Sequence, residues 1–133
     1  MAVRGWLLDK SAAARSTDDR FRASLAELAG SLVLCRVSQL EQLYSARSAR
    51  DYDRLEANLT DTFEIVTAPP DLFERALDLQ RDLAHHHGMW HRTPIPDLLI
   101  ACTALHHGLG VVHVDRDYER IAEIRPLVVR RLA

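Results

Sequence analysis

Apolar and polar residues fall into blocks along this chain, and the spacing within the blocks changes from one to the next. Four short runs are almost continuously apolar and are bounded by polar or turn-forming residues, as is typical of buried strands. They cover residues 5–8, 32–35, 63–66 and 111–114. A fifth run at 126–129 is predicted to be an edge strand.

Between these runs, apolar residues recur every three or four positions, which is the spacing of one helix face. Start and stop signals place the helix ends, such as Thr17-Asp18-Asp19 before one helix and Gly30 after it. The other predicted helices are a turn from Ser11, a helix with a capping box at Ser38 to Glu41, a polar helix over 49–59, one opened by Pro69-Pro70-Asp71, a buried helix over 96–107 that stops at Gly108, and a short helix around Tyr118.

Strands and helices therefore alternate along the chain. Strands buried on both faces are continuously apolar, whereas strands exposed on one face alternate with polar residues. The pattern predicts a single α/β domain over residues 1–133, a three-layer α/β/α sandwich with a parallel sheet of four to five strands.

The helix over 96–107 carries one carboxylate, Asp97, at the head of a segment that is otherwise nearly all apolar. Pro96 suits the first helical turn, where its missing N–H is not needed. Asp97 then faces the positive end of the helix dipole. A buried carboxylate is costly without a cation, so Asp97 is either a helix cap or a ligand.

Composition excludes several classes of protein. The 133 residues are 47% apolar and 27% charged, as in soluble globular proteins, and no apolar run is long enough to span a membrane. Cys35 and Cys102 lie in apolar segments and are interpreted as buried thiols, so a cytoplasmic protein is expected. The net charge of −2 does not indicate nucleic-acid binding, although all basic residues except Lys10 are arginines, which suit phosphate contacts.

Several acidic residues are placed at one end of the predicted sheet. Asp9 and Asp115 follow the first and fourth strands, and Glu41 and Asp97 lie in the first turns of two helices. In parallel α/β sheets, ligands bind outside the carboxyl ends of the strands. Carboxylates gathered there remain ionised together only around a cation, and an all-oxygen ligand set selects Mg²⁺ or Mn²⁺.

Such a site suits metal-assisted hydrolysis of a phosphodiester bond, which needs no serine, cysteine or histidine nucleophile. Asp9, Asp97 and Asp115 are the candidate metal ligands. Glu41 would bind metal through water or position the attacking water. Ser11 would hydrogen-bond a carboxylate or a phosphate oxygen.

With these residues assembled, the chain resembles a PIN-domain ribonuclease toxin of the VapC type. Four blocks carry the resemblance, in the family's order and at similar separations. They are Leu7-Leu8-Asp9-Lys10-Ser11-Ala12, the segment 38–47 with Glu41 and Arg47, the segment 96–104 with Asp97, and the segment 114–121 with Asp115 and Asp117.

The resemblance implies a Mg²⁺- or Mn²⁺-dependent endoribonuclease that cuts single-stranded regions of structured RNA such as tRNA or rRNA. It implies a toxin of a type II toxin–antitoxin system, a homodimer, and a VapB-like antitoxin partner whose C-terminal segment lies over the active-site groove. Catalytic roles carry over to Asp9, Glu41, Asp97 and Asp115. Asp117 matches a second acidic position. Many members have Asp-Thr-Ser where this chain has Asp9-Lys10-Ser11, so the hydroxyl role falls to Ser11, while Lys10 contacts phosphate or points outward.

Other interpretations remain open for individual residues. Glu41 has the position of a capping-box glutamate, and Asp115 and Asp117 that of turn or helix-cap residues. Arg47 would pair with phosphate or Glu41, or lie on the surface. The alternative for the whole chain is a non-catalytic α/β binding module whose carboxylates only cap helices. A phospho-acceptor receiver domain needs a late lysine, and none follows Lys10.

The loop over 85–91 holds four of the seven histidines. His87 and His91 have the spacing of metal ligands on one helix, but Gly88 between them ends the helix. The loop is expected to protonate partly near neutral pH, close to RNA or antitoxin. Trp90 either stacks on a base or a partner side chain, or anchors the loop.

Overall fold

The fold is built around a sheet of five parallel strands in the order β3-β2-β1-β4-β5. A computed structural model describes residues 3–13, 19–88, 90–114 and 116–132. The strands are β1 (Trp6–Leu8), β2 (Leu32–Cys35), β3 (Glu64–Val66), β4 (Gly110–His113) and β5 (Val129–Arg131). The predicted parallel sheet is confirmed, with β1 at its centre and β5 at an edge.

Seven α-helices among the described residues pack around this sheet. They are α1 (Lys10–Ala13), α2 (Asp19–Leu28), α3 (Arg36–Leu43), α4 (Ala49–Thr62), α5 (Leu72–His85), α6 (Ile95–His107) and α7 (Asp117–Ala122), with a 3-10 turn at Ala29–Ser31. None of the helices in the described ranges is long and apolar enough to cross a membrane.

Alternate residues of the three central strands face opposite sides of the sheet, as the pleat requires. One side packs against α5, α6 and α7, and the other packs against α1 to α4. Leu7, Val33 and Val111 belong to the first core, whereas Leu8, Leu34 and Val112 belong to the second. Apolar side chains are thus needed at consecutive strand positions, which explains the continuous runs in the sequence.

Two predicted segments differ from the structure. The last strand covers Val129–Arg131 and not 126–129, because an edge strand tolerates the charged side chains of Arg130 and Arg131. The capping box at Ser38 is wrong. Helix α3 begins at Arg36 with Cys35 as N-cap, and Ser38 is buried with its hydroxyl 3.2 Å from the Cys35 sulfur.

Helix α6 lies against the sheet and passes directly into its neighbour β4. Gly108 ends the helix with φ of 67°, a left-handed conformation that favours glycine, as predicted. The backbone N–H of Leu109 donates to the carbonyl of Ala104, and Gly110 then begins β4. Seven of its 13 residues are buried, all of them between Asp97 and Ala104, and this burial holds the start of the helix at the carboxyl end of the sheet.

Candidate active site

Asp9 lies directly after the central strand and is held by its own neighbours. Its backbone N–H donates to the carbonyl of Val112, which extends the pairing of β1 with β4. The backbone N–H and the hydroxyl of Ser11 both donate to Oδ2 of Asp9, at 2.9 and 2.6 Å. Ser11 also accepts a hydrogen bond from the backbone N–H of Val114. The predicted contact between Ser11 and a carboxylate is therefore present, and it leaves Asp9 only 3% exposed.

Asp97 lies in the first turn of α6, as predicted, and is 7% exposed. The N-cap of the helix is Pro94, and no side chain caps it. Asp97 is therefore not the N-cap residue of this helix, contrary to one of its two predicted roles. The carboxylate points instead toward α7, where its Oδ1 lies 3.3 Å from the hydroxyl of Tyr118.

Tyr118 joins the two aspartates. Its hydroxyl donates to Oδ1 of Asp9 at 2.6 Å as well as lying against Asp97, and its ring is fully buried beside the ring of His113. Burial, followed by the charges of Asp9 and Asp97, raises the pKa of Tyr118 well above 10, so the phenol stays protonated and donates.

This role of Tyr118 was not predicted from the sequence, in which the residue only marked a short helix. A buried tyrosine usually has a partner for its hydroxyl, and that was the signal available.

Glu41, on α3, lies close enough to Asp9 for the two carboxylates to interact through their charges. It is the sixth residue of α3, not a first-turn residue, because the helix begins two residues before Ser38. Burial, then the charge of Asp9, raises the pKa of Glu41, while the charge of Lys10 lowers it. Its Oε1 is buried and accepts no hydrogen bond from the described residues.

The Nζ of Lys10 lies over the ring of Tyr44, 5.9 Å from the ring centroid. Lys10, Glu41 and Tyr44 line a cavity of about 380 Å³ together with Leu40 and Pro96. The cavity opens directly beside the acidic residues. Lys10 is thus the predicted cation next to the site, and it lies on the solvent side.

Two of the remaining predicted residues, Asp117 and Arg47, have described contacts away from the aspartates. Asp115 lies outside the described residues. Asp117 begins α7 and forms an ion pair of 3.9 Å with Arg120. Arg47 is exposed after α3, and its backbone N–H donates to Asp51.

The donors at this end of the sheet fit a hard divalent cation. Asp9, Asp97 and Glu41 supply oxygen only, which suits Mg²⁺ or Mn²⁺. The buried Oε1 of Glu41 is the kind of group that a metal-bound water or ion satisfies. Across residues 3–13, 19–88, 90–114 and 116–132, no group of three or more Asp, Glu, His or Cys side chains is arranged to hold a metal ion. Asp115, the third predicted ligand, is not among them.

The histidine-rich loop is packed onto the protein through Trp90. The backbone N–H of Trp90 donates to Leu83, the ring of His86 lies 4.6 Å from its ring, and Arg120 lies 5.2 Å above it. Gly88, with φ of 117°, leaves room for the indole. Trp90 therefore anchors the loop, which is one of the two predicted roles.

Comparisons with known proteins agree with this geometry. The PIN domain family profile matches residues 6–124. The chain is 54% identical over 121 residues to Ribonuclease VapC17 of Mycobacterium tuberculosis, which covers 91% of this chain and 90% of that protein. It is 41% identical over 121 residues to Ribonuclease VapC21 of the same species, covering 90% and 87%.

A solved structure shares the fold at low sequence identity. A chain in the crystal structure of DNA-bound VapBC from Salmonella typhimurium superposes with a TM-score of 0.75 at 17% identity, covering 97% of this chain and 98% of that chain. A chain in the VapBC-5 structure from Mycobacterium tuberculosis gives a TM-score of 0.67 at 20% identity, covering 96% and 98%.

Proposed function

Because this chain belongs to the PIN-domain family and, within it, to the VapC ribonucleases, we propose that it is a metal-dependent endoribonuclease and the toxin of a type II toxin–antitoxin system. The observation that carries the proposal is the pair of buried carboxylates, Asp9 and Asp97, held together by one tyrosine hydroxyl. Glu41 lies beside them with a buried, unsatisfied oxygen. The substrate is RNA, and the reaction is hydrolysis of a phosphodiester bond.

The alternative of a non-catalytic binding module does not hold. Its premise is that the acids cap helices, yet Pro94 and Cys35 are the N-caps of α6 and α3. Both relatives compared above, at 54% and 41% identity, are named ribonucleases.

The residues of the site have distinct roles in the proposed reaction. Asp9 and Asp97 would hold Mg²⁺, with Mn²⁺ as a substitute and Asp115 as a further ligand. Bound there, the cation would lower the pKa of a water molecule and offset charge on the phosphate. Ser11 and Tyr118 fix the orientation of Asp9 from its two oxygens. Glu41, with its raised pKa, would orient the attacking water and accept its proton.

The family of the chain also indicates which molecules it binds. We propose a VapB-like antitoxin that covers the acidic groove, and a homodimer that acts on structured RNA such as tRNA or rRNA in the cytoplasm. Support comes from the solved proteins of the same fold, which are VapBC toxin–antitoxin complexes.

The test is cleavage of total cellular RNA by purified protein with and without Mg²⁺, followed by mapping of the cut ends. Attack by water leaves no cyclic phosphate, whereas attack by the ribose hydroxyl does. Asp97→Asn should abolish cleavage and toxicity while the protein stays folded. The control is Asp78→Asn, which changes an exposed aspartate on α5 and should cleave normally. Cleavage by Asp97→Asn at the wild-type rate would refute the site.

A further inference from the structure

A second set of side chains, aromatic and cationic, lies next to the acidic residues, at the end of α3 and the start of α4. Tyr44 is 81% exposed although it follows a helix whose neighbouring residue Leu43 is buried. It forms the shared wall of two cavities. One is the cavity beside Glu41, and the other, of about 500 Å³, is lined by Arg47, Ser48, Tyr52 and Asp53 among others.

Aromatic and cationic side chains alternate along these cavities. Lys10 lies over one face of Tyr44, and Arg47 follows three residues later in the second cavity. Tyr52, on the first turns of α4, is 38% exposed and lines the same cavity. Ser48 caps α4 by accepting from the backbone N–H of Asp51, which fixes the turn between the two tyrosines.

We propose that Lys10, Tyr44, Arg47 and Tyr52 form a track for single-stranded RNA, in which Tyr44 and Tyr52 stack on bases and the two cations contact phosphates. The proposal rests on the endoribonuclease function and names how that site takes its substrate. Proteins that bind single strands without reading sequence combine cations along the backbone with aromatic platforms for bases.

The position of the track favours RNA over a protein segment. A strand with one phosphate at Asp9 and Asp97 must pass through a neighbouring cavity, and the Lys10–Tyr44 cavity borders Glu41 directly. Protein docking surfaces have an apolar centre depleted of charge. Here Leu40, which is 66% exposed, gives one cavity an apolar wall, but Lys10 and Glu41 line the same cavity. Arg47 and Asp53 line the other cavity, so charged side chains lie on both sides of Tyr44.

Charge is nearly balanced along the track, because Glu41 and Asp53 line it together with Lys10 and Arg47. Stacking must therefore supply most of the affinity. This predicts a large effect from removal of a ring and a small change in salt dependence from removal of a cation.

The experiment measures binding of the full chain to a fluorescent single-stranded RNA oligonucleotide in EDTA, where metal-dependent cleavage does not interfere. Tyr44→Leu should weaken binding roughly 5- to 100-fold, the range for loss of one stacked base, and Tyr52→Leu should do the same. Tyr44→Phe and Tyr44→Trp should stay within about twofold of the wild type, because both keep a ring for stacking. Lys10→Gln should lower the slope of log affinity against log salt by about 0.7.

Phe73→Leu is the matched control, because Phe73 is 69% exposed on α5 and lines neither cavity. Equal RNA affinity of Tyr44→Leu and Phe73→Leu would overturn the track, as would loss of binding in Tyr44→Phe. Binding of an antitoxin that depends on Tyr44 while RNA binding does not would also overturn it.

Cleavage assays with Mg²⁺ separate this proposal from the proposed function. If the wild type binds RNA through Tyr44 but does not cut it, the nuclease assignment fails and the track stands. If the wild type cuts RNA and Tyr44→Leu binds equally well, the track alone fails.

Discussion

Tyr118 and Asp9 are 109 residues apart in the chain, and a hydrogen bond of 2.6 Å joins the hydroxyl of the first to the carboxylate of the second. The same hydroxyl lies 3.3 Å from Asp97. Two buried carboxylates that face one another repel, and a shared donor reduces that repulsion. Tyr118 therefore determines how the two aspartates lie before any cation binds.

Tyr118→Phe should test this role, because it keeps the buried ring and removes only the donor. We expect the free energy of unfolding in EDTA to fall by about 1.5–3 kcal/mol, the usual contribution of a hydrogen bond to a charged group. RNA cleavage should also slow, because Asp9 loses one of the hydrogen bonds that fix the orientation of its carboxylate. Denaturant unfolding and a cleavage assay measure the two effects. Tyr52→Phe removes a hydroxyl from a partly exposed tyrosine and serves as the control. Equal stability of the two variants would contradict the role assigned to Tyr118.

Glu41→Gln should stabilise the metal-free protein at neutral pH. The pKa of Glu41 in the folded protein is raised above its ordinary 4.5, so the folded state binds the proton more tightly than the unfolded state. Stability is therefore lost as pH rises from 4.5 through the folded pKa, and a neutral glutamine avoids that loss. The advantage of Glu41→Gln should vanish below pH 4.5.

Thermal unfolding of both proteins in EDTA across this pH range gives the comparison. Glu74→Gln, at an exposed position of α5, controls for the loss of one charge. A Glu41→Gln variant that is less stable than the wild type at neutral pH would show that the ionised carboxylate has a stabilising partner. Despite its greater metal-free stability, Glu41→Gln should cleave RNA more slowly.

Addition of Mg²⁺ should stabilise the wild type, because a ligand that binds only the folded state raises the free energy of unfolding. The gain is about 2.7 kcal/mol at a concentration one hundred times Kd. Asp97→Asn should lose most of this gain, since one of the two buried carboxylates becomes neutral. Melting curves with increasing MgCl₂ measure the effect without RNA. An identical Mg²⁺ response in both proteins would place the cation elsewhere.

Gly110→Ala should destabilise the fold. A Cβ at Gly110 would lie 2.5 Å from the ring of Trp6 and 3.0 Å from the carbonyl oxygen of Val128, closer than side chains pack. Overpacking of this kind costs roughly 1–3 kcal/mol. Gly30→Ala is the control, because nothing lies within 4 Å of a Cβ there. Chemical denaturation of both variants gives the difference, and equal stability would mean that Trp6 moves aside freely.

The sequence predicted the sheet well where burial on two faces left a clear signal. The three central strands are continuously apolar because Leu7 and Leu8 face different cores, and the same holds for Val111 and Val112. The edge strand was predicted to begin three residues and to end two residues too early, because its charged residues Arg130 and Arg131 resemble a loop in sequence. Local patterns alone do not show which strand lies at an edge.

The site was predicted in part. Asp9 and Asp97 do lie together at the carboxyl end of the sheet, and the topology of parallel strands was sufficient to place them. The position of Glu41 in its helix was predicted wrongly because Ser38 resembles a helix cap in sequence, whereas α3 begins at Arg36 and Ser38 lies buried inside it. The bridging role of Tyr118 depends on a contact across the whole chain, and no local spacing encodes such a contact.

The strand order has a consequence for the synthesis of the protein. The central strand β1 is made first, yet its neighbour β4 and the bridging Tyr118 come near the end of the chain. Pairings between such distant segments form late, since the intervening loop must close before they are favourable. A ribosome-bound chain thus carries Asp9 without its partners, and the site is complete only after most of the protein has been translated.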